Sequence, residues 1–175
     1  MVDPDGFEFE MEQFTPEQPT TAPADGKVLG ASLGTTLADA EKSAVFYKAL
    51  GFDFRLGNAF NGDNPVGMAL VDAEGGQLRA SGLTIPGPKT PIFCFEFRGL
   101  DQLALPRNIR DPGASAITLQ VHDVDAAIQA AKATGGSVIA SDGKAVTLKD
   151  GKAATKGAWV KSPDGLLLEL LEKRD

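Results

Sequence analysis

The sequence predicts an α+β fold of two tandem β-α-β-β-β modules, and three observations carry that prediction. The first is a change of hydrophobic period within residues 116–135, AITLQVHDVDAAIQAAKATG. Ile117, Leu119 and Val121 alternate with Ala116, Thr118 and Gln120, the pattern of a half-buried strand. Beyond Asp123, Val124, Ala127, Ile128 and Ala131 fall on one face of a helix. The second is a repeat of this unit: Ser32 and Ala116, Asp39 and Asp123, Gly51 and Gly135 are all separated by 84 residues. Three landmarks in one register mark an internal duplication. The third is that each strand-helix unit is followed by three more strand-like segments, with an extra hairpin strand as an option in the first module.

In the first module (27–99), residues 32–37 form the opening strand. Asp39 caps a helix over 40–50 that contains Phe46 and Tyr47, and Gly51 supplies the left-handed residue that ends it. Residues 52–56 alternate as a second strand. Residues 57–67, with three Gly, three Asn and one Pro, read as a loop. Residues 68–71 and 77–83 flank Glu74-Gly75-Gly76 and read as a hairpin. Residues 87–90 turn the chain into 91–98, PIFCFEFR, a strongly patterned strand. A connector (100–113) carrying Pro106 and Pro112 leads to the second module (114–175). There the helix ends at Gly135 and a strand follows over 137–140. Residues 141–157, with Lys144, Lys149, Lys152 and Lys156 around Asp150-Gly151, read as a hairpin or flap. Its lysines are either a solvated face or an attraction for an anion. Residues 158–162 form a third strand, Pro163-Asp164-Gly165 a turn, and 166–171 the closing strand.

At 175 residues the chain can bury a core as one compact domain or a pair of small modules. Its 42% hydrophobic and 23% charged residues are those of an ordinary soluble globular protein. A formal net charge of −7 argues against nucleic acid or an anionic membrane as a partner. No apolar run reaches the roughly 18 residues of a membrane span. The acidic first residues do not resemble a secretion signal, and Cys94 as sole cysteine excludes an internal disulfide. A reduced, cytoplasmic setting is the expectation.

The first thirteen residues, MVDPDGFEFEMEQ, read as a turn at Pro4-Asp5-Gly6 and an alternating strand. They parallel Pro163-Asp164-Gly165 and its strand, with Glu10 and Glu169 each five residues after the aspartate. They are either the end of a preceding module in a longer chain or an added edge strand, exchanged between subunits of a homodimer. Residues 14–26, rich in Pro, Thr, Gln and Ala, are then a linker.

The paired modules, the helix DAEKSAVFYKALGF and the ending SPDGLLLEL resemble the vicinal oxygen chelate superfamily, the glyoxalase, bleomycin-resistance and extradiol-dioxygenase group. The resemblance covers residues 27–173. It implies a curved mixed sheet around a cavity, with the helices outside. It also implies a divalent metal held by His and Glu from the first and fourth strands of each module. By register those positions are Ser32, Glu96, Ala116 and Glu169, so both histidines are missing. Two carboxylates without nitrogen ligands fall short of a zinc, nickel or iron site, and no cofactor is expected.

Strand parity then places Ala116, Thr118 and Gln120 toward the cavity, with Leu167, Glu169 and Leu171 beside them. The same argument turns Phe93, Phe95 and Phe97 toward the helix and Cys94, Glu96 and Arg98 inward. The expected ligand-binding set is Ser32, Thr36, Glu96, Arg98, Thr118, Gln120, Trp159 and Glu169, polar groups on apolar walls. Glu96 and Glu169 are the acid-base candidates, and the plainer reading of Glu96 is an ion pair with a cation such as Arg98. His122, beside the cap Asp123, stands near the cavity mouth, although a lone His there is more often structural. Cys94 reads as a small buried hydrophobe and Tyr47 as core, while Trp159 either packs or stacks on a ligand. Two functions of different class follow. One is a metal-free protein that binds a small aromatic or amphipathic compound. The alternative is a metal-dependent lyase, isomerase or dioxygenase of the glyoxalase type using Glu96 and Glu169. A third, an oligomerising module of a longer chain, rests on the N-terminal strand.

Overall fold

A computed structural model describes residues 32–63, 65–85, 87, 91–102, 108–111, 116–139, 141–150 and 153–173. The turn and strand expected over 1–13 and the linker over 14–26 lie outside the described residues. The first module runs β1 (Leu33–Leu37), α1 (Ala40–Ala49), β2 (Asp53–Arg55), α2 (Pro65–Leu70), β3 (Gln77–Thr84) and β4 (Pro91–Arg98). The second runs β5 (Ala116–Val121), α3 (Val124–Ala133), β6 (Ser137–Val138), β7 (Val146–Asp150), β8 (Ala153–Lys161) and β9 (Leu167–Glu172). The fold is α+β. Its strands form two mixed sheets, ordered β1-β4-β3-β2 and β5-β9-β8-β6, with β7 also paired to β8. In each, the first strand lies parallel to the last and the remaining pairs are antiparallel.

Local chemistry sets the helix ends. The Asp39 carboxylate accepts from the amides of Glu41 and Lys42, and Asp123 accepts from Ala126, each satisfying donors that a helix start leaves open. The Lys42 amide and then its ammonium hold the Asp39 carboxyl below the usual carboxylate range. Gly51 and Gly135 both take φ of +90°, a conformation that side-chain-bearing residues rarely adopt, and stop the two helices.

One expected strand is absent. Residues 68–71 do not pair with β3: residues 68–70 complete α2, which opens on Pro65, a residue suited to a first helical turn, and Val71 lies in the turn that follows. The outer edge of β3 has no room for another strand. Phe54 and Arg55 of β2 pair with Leu83 and Gly82 at one end, and Asn61 exchanges two hydrogen bonds of 2.8 and 2.9 Å with Leu78 at the other. The hairpin expected over 141–157 is present as β7 and β8.

The core is continuous through both modules, joining Leu37, Phe46, Tyr47, Phe54, Ile92 and Cys94 to Leu119, Val124, Ile128, Val160, Leu168 and Leu170. Both main helices therefore cover the same side of their sheets. Two contacts seal the seam between modules. The Phe46 ring lies on Gly136, where a Cβ would come within 2.5 Å of its Cε2 and 3.0 Å of the Ala131 carbonyl. The Asp164 carboxylate, in the turn before β9, accepts from the Ala38 amide at 2.9 Å and from the Ser43 hydroxyl at the start of α1. Among the described residues no helix is long and apolar enough to cross a membrane.

Candidate functional site

Each sheet has a helix-covered face and an open face. In the second module the open face carries what strand parity predicts. Thr118, Glu169 and Trp159 are direct neighbours across β5, β9 and β8, and Gln120, Leu171, Gly157 and Val146 form the next row. The Thr118 hydroxyl donates to Glu169 Oε2 at 2.8 Å. Beside this pair lies a recess of about 50 Å³ lined by Lys144, Val146, Leu148, Gly157, Ala158, Trp159, Glu169 and Leu171. Glycine at 157 keeps its floor open, since a Cβ there would press on Leu171 Cδ2 at 3.0 Å and Leu148 Cδ1 at 3.1 Å. A carboxylate has several lone pairs, so Glu169 can accept from a ligand's N–H or O–H while Thr118 holds it in place. Val146 and Leu148 had no signal in the sequence beyond a short alternating run on a flap.

In the first module the expected faces are reversed. Ile92, Cys94 and Glu96 lie on the helix-covered face and are buried, whereas Phe93, Phe95 and Phe97 stand on the open face. Glu96 therefore does not line an open cavity. Its Oε2 accepts from Arg79 Nε at 2.8 Å, from Arg79 Nη2, and from the Ala40 amide at 3.4 Å at the start of α1. Its ionic partner is Arg79, not Arg98. Arg98 leaves the sheet on the same side as Glu96, with its guanidinium carbon 3.7 Å from the Phe60 ring centroid. Ser32 and Thr36 are exposed on the open side of β1, with Thr36 opposite Phe95. His122 is exposed between β5 and α3, and Ala116 is exposed at the start of β5.

The repeat explains the reversal. Leu37 pairs with Glu96 as Val121 pairs with Glu172, and the Val124 amide donates to Glu172 Oε2 at 3.2 Å as Ala40 does to Glu96. Glu96 and Glu172 are thus equivalent helix-start carboxylates. Gly34 pairs with Phe93 as Thr118 pairs with Glu169, so the counterpart of Glu169 is Phe93.

The profile of the Glyoxalase/Bleomycin resistance protein/Dioxygenase superfamily matches residues 33–170. The chain belongs to this superfamily. Solved structures show the same fold. A glyoxalase family protein of Bacillus cereus is 14% identical over 88% of this chain and 100% of its own, with a TM-score of 0.70. A hypothetical protein of S. aureus is 23% identical over 85% of this chain and 100% of its own, with a TM-score of 0.53. The V278E mutant of glyoxalase I from Zea mays is 15% identical over 81% of this chain, which spans 43% of the maize chain, with a TM-score of 0.55. No curated protein matches the chain.

The metal positions that the resemblance implies, carried over in the register seen here, would fall on Ser32, Phe93, Ala116 and Glu169. One carboxylate, one hydroxyl and two apolar side chains do not fit a resident divalent metal. Among the described residues no three His, Cys, Asp or Glu converge elsewhere.

Two buried acids of the core titrate late. Burial, with a smaller contribution from the Asp164 charge, pushes the Cys94 thiol from 9.0 up to about 12, and burial raises the Tyr47 hydroxyl as well. Between pH 9 and about 12 the unfolded chain gives up the Cys94 proton while the folded chain keeps it. Cys94 thus contributes stability that is whole below about pH 9 and is lost as pH climbs toward 12. Urea midpoints should fall through this window, and Cys94→Ala should flatten part of the slope. An unchanged slope would show that Cys94 does not carry it. An aromatic disulfide reagent at pH 8 should react with Cys94 only as fast as the protein opens.

Proposed function

We propose that the protein is a metal-free binder of a small organic ligand, aromatic or amphipathic, taken up on the open sheet faces. The observation that carries this reading is the corrected set Ser32, Phe93, Ala116 and Glu169, in which a phenylalanine stands where the second carboxylate was expected. Glu169, oriented by Thr118 and flanked by Trp159, then serves as a hydrogen-bond acceptor beside an aromatic wall. Thr36 and Gln120 offer further polar contacts on the same faces, and Lys144 adds a cation at the recess. The recess of about 50 Å³ admits one group of a ligand, with the rest lying across the sheet. The two-carboxylate enzyme is the weaker reading, because Glu96 is held by Arg79 and the α1 backbone on the opposite face.

Thermal melts of EDTA-treated protein with Mg, Mn, Fe(II), Co, Ni and Zn test the proposal. A metal that binds only the folded state at a hundredfold over its Kd would add about 2.7 kcal/mol of stability. The expected result is no rise in Tm with any of them. A saturable rise abolished by Glu169→Gln would overturn the metal-free reading. Ligands can be sought by the emission of Trp159, the sole tryptophan, which lines the recess.

A further inference from the structure

On the open face of the first sheet the row Gly34–Phe93–Gly82 crosses β1, β4 and β3. Phe93 has a glycine opposite it on both sides, which forgoes the cross-strand contacts by which aromatic residues normally stabilise a sheet. On the Gly34 side the space is used by Phe95, whose Cε2 stands 3.4 Å from where a Cβ would be. The Phe93 and Phe95 rings are nearly parallel, 16° apart with centroids at 6.5 Å. On the Gly82 side a Cβ would meet nothing within 4 Å. Phe93 is left 45% exposed. Glycine inside a strand weakens it, and marks places where a ligand or another backbone approaches closely.

We infer that the step between Phe93 and Gly82 is a stacking shelf for the planar aromatic ring of a small-molecule ligand. The inference rests on the binder reading above and locates the ring on the first module, whereas the recess beside Trp159 lies on the second. The equivalent row of the second sheet, Thr118–Glu169–Trp159, carries a side chain on all three strands. The opening at Gly82 is therefore a feature of this sequence and not of the fold. Its size suits a ring better than a second copy of the chain. Phe93 offers roughly 100 Å² of free ring surface, given what an aromatic side chain can bury. A stable protein interface needs about 800 Å² from each partner.

Calorimetric titration with 2-naphthol and with its saturated analogue decahydro-2-naphthol tests the shelf. The two probes share a hydroxyl and a carbon frame and differ in planarity. The planar probe should bind about fivefold more tightly, the scale of an aromatic stacking contact. Phe93→Leu keeps an apolar side chain and removes the ring, and should weaken 2-naphthol roughly fivefold. Gly82→Val fills the step with a side chain whose Cβ meets nothing within 4 Å and which suits a strand, so it should block the shelf in a chain that folds. It should weaken the planar probe as much as Phe93→Leu does. Unchanged 2-naphthol binding in both variants, with quenching of Trp159, would overturn the shelf and leave the binder reading standing. Absence of 2-naphthol binding to the wild-type protein would also overturn the shelf, the binder reading being judged separately by the metal melts. A dimer in sedimentation velocity that both variants disperse would overturn it in favour of a second copy on this face.

Discussion

Replacing Arg79 with alanine should cost the fold about 3–5 kcal/mol, the usual cost of stranding one half of a buried ion pair. Arg79 is 7% exposed and Glu96 6%, and the guanidinium gives two hydrogen bonds to one carboxylate oxygen. Without Arg79 the Glu96 carboxylate keeps, among the described residues, only the Ala40 amide, at 3.4 Å. A loss of that size is roughly a fifth or more of the stability of a typical domain and should lower Tm by roughly 10 °C. The second partner of Arg79, Glu41, is 70% exposed at 3.3 Å, so Glu41→Ala should stay within about 0.5 kcal/mol. The double variant Arg79→Met/Glu96→Leu should recover most of the loss, because the uncompensated charge is then gone. Urea denaturation of the wild type and these three variants measures the differences. An Arg79→Ala cost below about 1 kcal/mol would mean that water reaches the pair.

Asp164→Ala should be the next most damaging change, at about 2–3 kcal/mol, for two hydrogen bonds to one charged acceptor. Ser43 is fully buried, and its hydroxyl proton has two acceptors in reach, the Asp39 carbonyl at 2.7 Å and Asp164 Oδ2. Losing the carboxylate leaves the first for Ser43 and removes the Ala38 contact, so the second module lets go of the start of α1. Asp164→Asn should recover about half of the loss, because a neutral amide oxygen accepts less strongly. Both variants also remove a charge that helps hold the Cys94 thiol proton, so thiol titration should move to lower pH in each. The core is shared, so unfolding should remain a single transition with a lower midpoint. A cost under about 0.5 kcal/mol would show that Asp164 does not join the modules, and a second transition would show that the shared core does not couple them without it.

The duplicated strand-helix unit, both aspartate caps, both stop glycines and the bounds of β4 were legible in the sequence, because each depends on residues within a few positions of one another. The open face of β5 and β9 was legible too, because polar and apolar residues alternate in β5 and only one face of β9 carries Glu169. The face of β4 was not. PIFCFEFR is apolar at both parities, so a period of two cannot say which side meets the helix. The fourth strands also repeat at 76 residues, from Glu96 to Glu172, and not at the 84 of the helices. Loops of different length break the register, and a glutamate near the expected place was matched to the wrong partner. Residues 68–70 joined α2, and not a hairpin strand, because β2 and Asn61 already held the edge that a strand would have needed. The sequence by itself determined the superfamily, the module order and the helix ends. Only the tertiary structure decided that Glu96 anchors α1 through Arg79 and that Phe93 faces outward, since both depend on which strand edges and helix amides meet across distant parts of the chain.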